Sequence, residues 1–191
     1  ILHMSHSSQE QGSALADVLF GDYNPAGRLS VTWPTSLNDL PPMMDYDSRK
    51  GRTYMYSKAE PQYPFGFGLS YTTFEYANLR TSAETLRPAG EVVVRADVRN
   101  AGTRAGDEVV KLYVAHSGSA VERPTRQLRG FTRIPLKPGE TRTVEMKVKA
   151  ADLTYWDAAK HAFVLEPGSA ELQVGASSAD IRLKKSITVG K

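Results

Sequence analysis

The 191-residue sequence contains no cysteine. That excludes disulfides, thiolate nucleophiles and cysteine-ligated zinc. It leaves the compartment open, because an exported protein can do without disulfides. No apolar run approaches the ~20 residues that a membrane-spanning helix needs, so no membrane segment is expected. Charge of one sign is never concentrated: the 24 Lys and Arg are interspersed with 21 Asp and Glu, for a formal net charge of only +3. Without a polybasic block or an aromatic-basic motif, neither nucleic acid nor a membrane surface is expected as a partner. The opening Ile1-Leu2-His3-Met4 lacks the basic and long apolar regions of a signal peptide. The chain is expected to start inside a longer polypeptide.

A hydrophobic content of 40% is enough for a core. The length suits one ordinary domain, or one small domain with a piece of another. The first 35 residues read as the end of an α/β unit. Ile1 to Met4 would close a buried strand, and Ser7 with Glu10 has the spacing of a capping box at a helix start. Ala14, Leu15, Val18 and Leu19 recur at helical spacing, and Gly21 is placed to stop the helix. Asn24-Pro25-Ala26-Gly27 predicts a turn, and Leu29 to Trp33 a short strand. One strand end, one helix and one strand cannot close a core, so this part requires partners from outside. Residues 36–73 show no period and read as an extended connector lying across another domain.

Strand periodicity takes over from residue 74. Val92 to Val98, Val109 to Ala115, Leu128 to Ile134, Thr141 to Val148, His161 to Leu165, Ala170 to Val174 and Ile181 to Val189 predict seven short strands. Turn signals lie between them, at Asn100-Ala101-Gly102 and Lys137-Pro138-Gly139 for example. The expected fold is mostly β: an antiparallel sandwich of immunoglobulin or fibronectin III type over 74–191, preceded by the strand–helix–strand remnant and the connector. Where connector meets sandwich stands Gln62-Tyr63-Pro64-Phe65-Gly66-Phe67-Gly68-Leu69-Ser70-Tyr71-Thr72-Thr73-Phe74. Proline and glycine there rule out a regular element, and the rings need a surface to bury against.

These segments, taken in order, resemble the C-terminal part of family 3 glycoside hydrolases, the β-glucosidase and β-xylosidase family. The resemblance rests on Ala14 to Leu29, on Gly51-Arg52-Thr53-Tyr54-Met55-Tyr56, and on Tyr63 to Tyr71. In the sandwich it continues through Asn100-Ala101-Gly102, Ala105 to Val110 and Leu128-Arg129-Gly130-Phe131. It implies a preceding (β/α)8-like barrel and the rest of an α/β sandwich domain, with a fibronectin type III-like domain last. Retention through an Asp nucleophile and a Glu acid/base is implied as well. Both carboxylates belong to parts that the resemblance places before this chain. No catalytic, cofactor-binding or metal-binding residue is therefore assigned here, and no cofactor is expected. The implied partner is the N-terminal catalytic portion, with an oligosaccharide reaching the chain only through it. A homodimer stays open, and a secreted or periplasmic location is implied by the family alone.

Several residues invite a functional reading and have a plainer one. Glu10 sits in a polar loop before a helix, where capping accounts for it without catalysis. His3, His6 and Ser7 are too close in sequence to meet as a nucleophile with its base. Asp39, Asp45 and Asp47 lack the spacing of a calcium loop, and the last two can pair with Arg49 or Arg52. Tyr54, Tyr56, Tyr63, Phe65 and Phe67 could stack on sugar rings, but rings among prolines and glycines more readily pack between domains. Trp33 is expected to close the α/β part, Trp156 to anchor the sandwich core or edge, and Glu166-Pro167-Gly168 to form a hairpin turn. The leading reading is the structural C-terminal segment of a retaining exo-acting β-glycosidase that releases terminal β-D-xylosyl or β-D-glucosyl residues. The alternatives are a stand-alone carbohydrate-binding or interaction module, and a purely structural linker domain.

Overall fold

Alternating valines and leucines make two sheets face one another. The structure, a computed structural model, describes residues 2–4 and 9–190. Its elements are α1 (Gln11–Phe20), α2 (Thr53–Tyr56), β1 (Phe74–Thr81), β2 (Thr85–Leu86), β3 (Glu91–Asn100), β4 (Gly106–Ser117) and β5 (Gln127–Leu136). There follow β6 (Thr141–Lys149), β7 (Thr154–Asp157), β8 (Ala162–Leu165), β9 (Gly168–Gly175) and β10 (Ile181–Val189). One sheet has the order β1-β3-β6 and the other β2-β10-β9-β4-β5. Pairing is antiparallel except between β2 and β10. Val92, Val94, Ala96 and Val98 of β3 meet Val110, Leu112 and Val114 of β4, with Leu172 and Val174 of β9 beside them, in one buried cluster. This is the expected sandwich of fibronectin III type.

The structure has three strands beyond the seven expected: β1, β2 and β7. β1 escapes the periodicity because a register shift between Ala77 and Arg80, with Asn78 at φ +54°, breaks its alternation. The Glu166-Pro167-Gly168 segment is not a hairpin turn, since it carries the chain from β8, in a two-stranded sheet with β7, into the five-stranded sheet.

The N-terminal part departs further from expectation. Leu2 to Met4 form no strand, and Ile1 lies outside the described residues. Helix α1 begins at Gln11, so Glu10 sits at its N-cap and not three residues inside it. Ser7, the other half of the proposed capping box, lies outside the described residues, and Glu10 accepts a 3.1 Å hydrogen bond from Ser13 instead. Gly21 does end the helix, at φ +86°. No residue of α1 is buried, and Phe20 is 84% exposed. Leu29 to Trp33 is extended but pairs with the chain's own residues 63–67, not with a wider sheet. Between them the connector holds short helical turns at Leu37–Asp39 and Ser48–Lys50 in addition to α2.

Because Leu172 is fully buried at the centre of the core, Leu172→Ala is expected to destabilise the sandwich by about 2–5 kcal/mol. The shift of its urea-unfolding transition measures this.

Candidate functional site

The aromatic segment at 62–74 is held by backbone pairing on one side and by the sandwich on the other. Tyr63 exchanges hydrogen bonds with Trp33, at 2.9 and 3.3 Å. Leu29 donates to Phe67 at 2.9 Å and accepts from Gly66 at 2.8 Å. Between these pairs Phe67 N–H closes a turn onto the Pro64 carbonyl at 3.0 Å, with Gly66 at φ +85°. That is the glycine position of a type II turn, where a side chain is strained. Any Cβ on Gly66 would also lie 2.7 Å from the Lys111 side chain.

The turn sends its rings to opposite sides. Tyr63 and Phe67 lie 5.2 Å apart, and Trp33 meets Tyr63 edge-on at 5.9 Å. Trp33 also meets the His3 ring at 5.0 Å. Phe65 turns the other way and stacks on Tyr54 at 4.5 Å, and Tyr54 in turn meets Tyr113 of β4 edge-on. The Tyr54 hydroxyl accepts the Leu128 N–H at 3.0 Å, and Thr125 N–H donates to the Met55 carbonyl at 2.8 Å. Tyr54, Tyr56, Tyr63, Phe65 and Phe67 are all half-buried. Tyr54, Tyr63, Phe65 and Phe67 thus pack between segments.

Under this aromatic layer lies a set of buried charges that sequence patterning did not single out. Arg28 and Glu108 approach to 3.5 Å with side chains 7% and 4% exposed. Lys111 is itself almost fully buried, and its ammonium donates to the carbonyls of Ala176 (2.7 Å), Val109 (3.1 Å) and Gly66 (3.4 Å). Alternation along β4 puts Lys111 and Tyr113 on the face opposite Val110 and Leu112. Both faces are buried, because the connector roofs the outer one. Burial pushes the Lys111 ammonium down to about 8, with the nearby Arg28 charge adding to the effect and Glu108 opposing it. Ser178 N–H donates to the Phe65 carbonyl at 2.9 Å and brings the chain after β9 to the same place.

Two amides complete the clamp. Asn24 accepts from Tyr71 N–H at 2.8 Å and from the Ser70 hydroxyl at 3.0 Å, and donates to the Ala105 carbonyl at 2.9 Å. Asn100 accepts from Thr72 and from Gly102, and donates to the Arg104 and Leu136 carbonyls. Arg104 donates to the Gly21 carbonyl, and the Tyr71 hydroxyl to the Val18 carbonyl at 2.6 Å. Thus α1, the connector and the sandwich are bound through specific side chains.

The other candidates are occupied elsewhere. Asp45 pairs with Lys50 at 2.7 Å, Asp47 with Arg49 at 2.9 Å, and Asp39 receives the Ser36 N–H at 2.9 Å. Arg52 binds the carbonyls of Pro42, Met43 and Asp45 and so folds the loop that carries these acids. Among the described residues no group of three His, Cys, Asp or Glu side chains is gathered as a metal would require. His6 and Ser7 lie outside the described residues. Trp156 is no core residue: it sits on β7 at 52% exposure. Glu166, read only as a turn residue, accepts from Ser119, Ala120 and Arg123.

Fold and site together define a class: a fibronectin III-like sandwich clamped by a buried charge cluster to an incomplete α-helical segment. Residues 1–71 match the family model described as glycosyl hydrolase family 3 C-terminal domain, and 108–178 the one described as fibronectin type III-like domain. The chain is 42% identical to a xylan 1,4-beta-xylosidase of Xylanibacter ruminicola, over 97% of its own length and 21% of that protein's. It is 40% identical to a beta-glucosidase of Rhizobium radiobacter, over 98% of the chain and 25% of the relative. Beta-glucosidase 3B of Thermotoga neapolitana, solved with alpha-D-glucose, superposes with a TM-score of 0.86 at 35% identity, over 96% of this chain and 27% of that one. The chain belongs to glycosyl hydrolase family 3, and corresponds to the C-terminal part of its members. It spans about a quarter of the length of the curated relatives it matches.

Two expectations come from the charge cluster. Arg28→Met or Glu108→Leu alone strands the other buried charge and is expected to cost about 3–5 kcal/mol, while the two together recover most of that. A double-mutant cycle on unfolding free energies reads the difference. For Lys111, folding expels a proton between about pH 8 and the ordinary lysine value of 10.5. The unfolded state therefore binds more protons there, and stability rises with pH from about 8. Above about 10 the tyrosines Tyr54, Tyr76 and Tyr113, whose ionisation burial opposes, pull the other way. Unfolding free energies between pH 8 and 10 should rise in the native sequence and lose that slope in Lys111→Met.

Proposed function

We propose that the polypeptide carrying this chain is a retaining, exo-acting β-glycosidase that removes terminal non-reducing β-D-xylosyl or β-D-glucosyl residues. Residues 1–35 complete its α/β sandwich domain, 36–73 connect, and 74–191 form the fibronectin type III-like domain. The nucleophilic Asp and the acid/base Glu lie in a portion preceding the chain, and this segment acts structurally. What supports the reading is the likeness, along nearly the whole chain, to proteins named β-xylosidase and β-glucosidase. The division of labour has its own support in the surface. Among the described residues, twelve of the fifteen exposed large hydrophobic side chains fall within residues 2–71, nine of them on α1 or the connector. A face so apolar is the natural seat of the preceding portion. One relative is named a periplasmic beta-glucosidase, in Salmonella typhimurium, and a secreted or periplasmic location is proposed on that likeness.

The test compares aryl β-xyloside and β-glucoside hydrolysis by the full-length enzyme and by the 191-residue chain alone. Turnover is expected from the first and none from the second; hydrolysis by the purified chain would refute the assignment of chemistry to the preceding portion.

A further inference from the structure

The connector rings pack between segments as expected, and a different pair of rings is exposed. Trp156 on β7 and Phe163 on β8 are register partners, 5.3 Å apart at 71°, and Phe163 is 71% exposed. Their hairpin is rigid. At its base Leu153 is buried in the sandwich core and Leu165 packs against it. On its underside Tyr155 lies 4.8 Å beneath Arg123, whose side chain is 9% exposed and bonded to the Leu153 carbonyl and Glu166. At its tip Asp157 accepts the Ala159 and Lys160 N–H groups and pairs with Lys160 at 3.0 Å. Two large rings are thus held in place by contacts made behind them.

We propose that Trp156 and Phe163 form a surface platform for the pyranose units of a neutral β-linked polysaccharide. The sandwich part of the chain is otherwise closed, with one further exposed large hydrophobic residue, Phe131, among those described. Two rings offer a few hundred Å² at most, well below the roughly 800 Å² per partner of a stable protein interface. A narrow, extended ligand fits that area better than a second copy. The hairpin's Asp157 and Lys160 neutralise one another, which favours an uncharged ligand whose apolar ring faces stack while its hydroxyls meet the polar tip. The choice of β-linked sugar rests on the proposed glycosidase reading; the platform itself rests on the hairpin.

The test is native electrophoresis of the full-length enzyme through gels containing soluble arabinoxylan, mixed-linkage β-glucan or, as control, dextran. Saturating xylose and glucose are present to fill the reaction pocket. Retardation by at least one β-linked polymer and not by dextran is expected. Trp156→Ala and Phe163→Ala should each raise the apparent Kd roughly tenfold, with aryl-glycoside hydrolysis and thermal midpoint unchanged. Trp156→Tyr should retain most of the binding and serves if Trp156→Ala does not fold. An unretarded native enzyme, or alanine variants retarded like it, would overturn the platform. So would self-association in light scattering that both alanine variants abolish, which would make the pair a contact between copies. An enzyme retarded but inert toward aryl glycosides would instead sink the hydrolase reading and leave the platform standing.

Discussion

The Lys111 ammonium is the fastening on which the arrangement of this chain depends. A charged amine out of water needs its donors satisfied, and here three carbonyls from three separate stretches supply the acceptors. Those stretches are the connector turn at Gly66, the strand β4 at Val109, and the loop after β9 at Ala176. None of them can shift without stranding a buried charge. Arg28 and Glu108 extend the same constraint to the segment after α1. The aromatic layer above keeps water out and so makes the electrostatics costly to disturb. Packing and charge therefore enforce each other: the turn covers the lysine, and the lysine keeps the turn that aims the rings.

The sandwich was largely legible in the sequence, and the clamp was not. Period-two alternation identified most strands because one face of each is apolar and the other wet. It missed β1, where a bulge at Asn78 resets the alternation, and β7, which is too short to show a period. Lys111 exposes the limit of pattern reading more sharply. A lysine alternating with valine and leucine looks like the solvent side of a strand, and only the connector turn at Gly66 and the loop at Ala176 make it interior. Arg28 and Glu108 stand 80 residues apart in sequence and announce no pairing. Trp156 was misjudged for the opposite reason, because a tryptophan beside a turn is commonly core and nothing local says that its hairpin stands clear of both main sheets. Family motifs did point to the seam, since Tyr63 to Tyr71 and Ala105 to Val110 carry the resemblance and meet in space.

On the proposed reading, a segment built this way contributes geometry to an enzyme. Its carboxylates are spent on holding loops, as Asp39, Asp45, Asp47 and Glu166 show, and its amides on joining segments. The apolar side chains of α1 and the connector leave it unfinished on one side, while the sandwich is finished by itself.

The bond from Ser178 N–H to the Phe65 carbonyl has a consequence in time. A ribosome delivers the connector turn more than a hundred residues before the strand and loop that pin it. Until β9 has paired with β4, the Lys111 ammonium lacks its Ala176 partner and the Phe65 turn lacks its lock. The connector turn must therefore wait unpinned while the sandwich forms behind it, and the seam is the last joint to close. Holding a late joint open costs little when the closing loop is already ordered by the pairing of β9 with β4, but until then it places the hazard of aggregation on the unpinned connector and not on the strands.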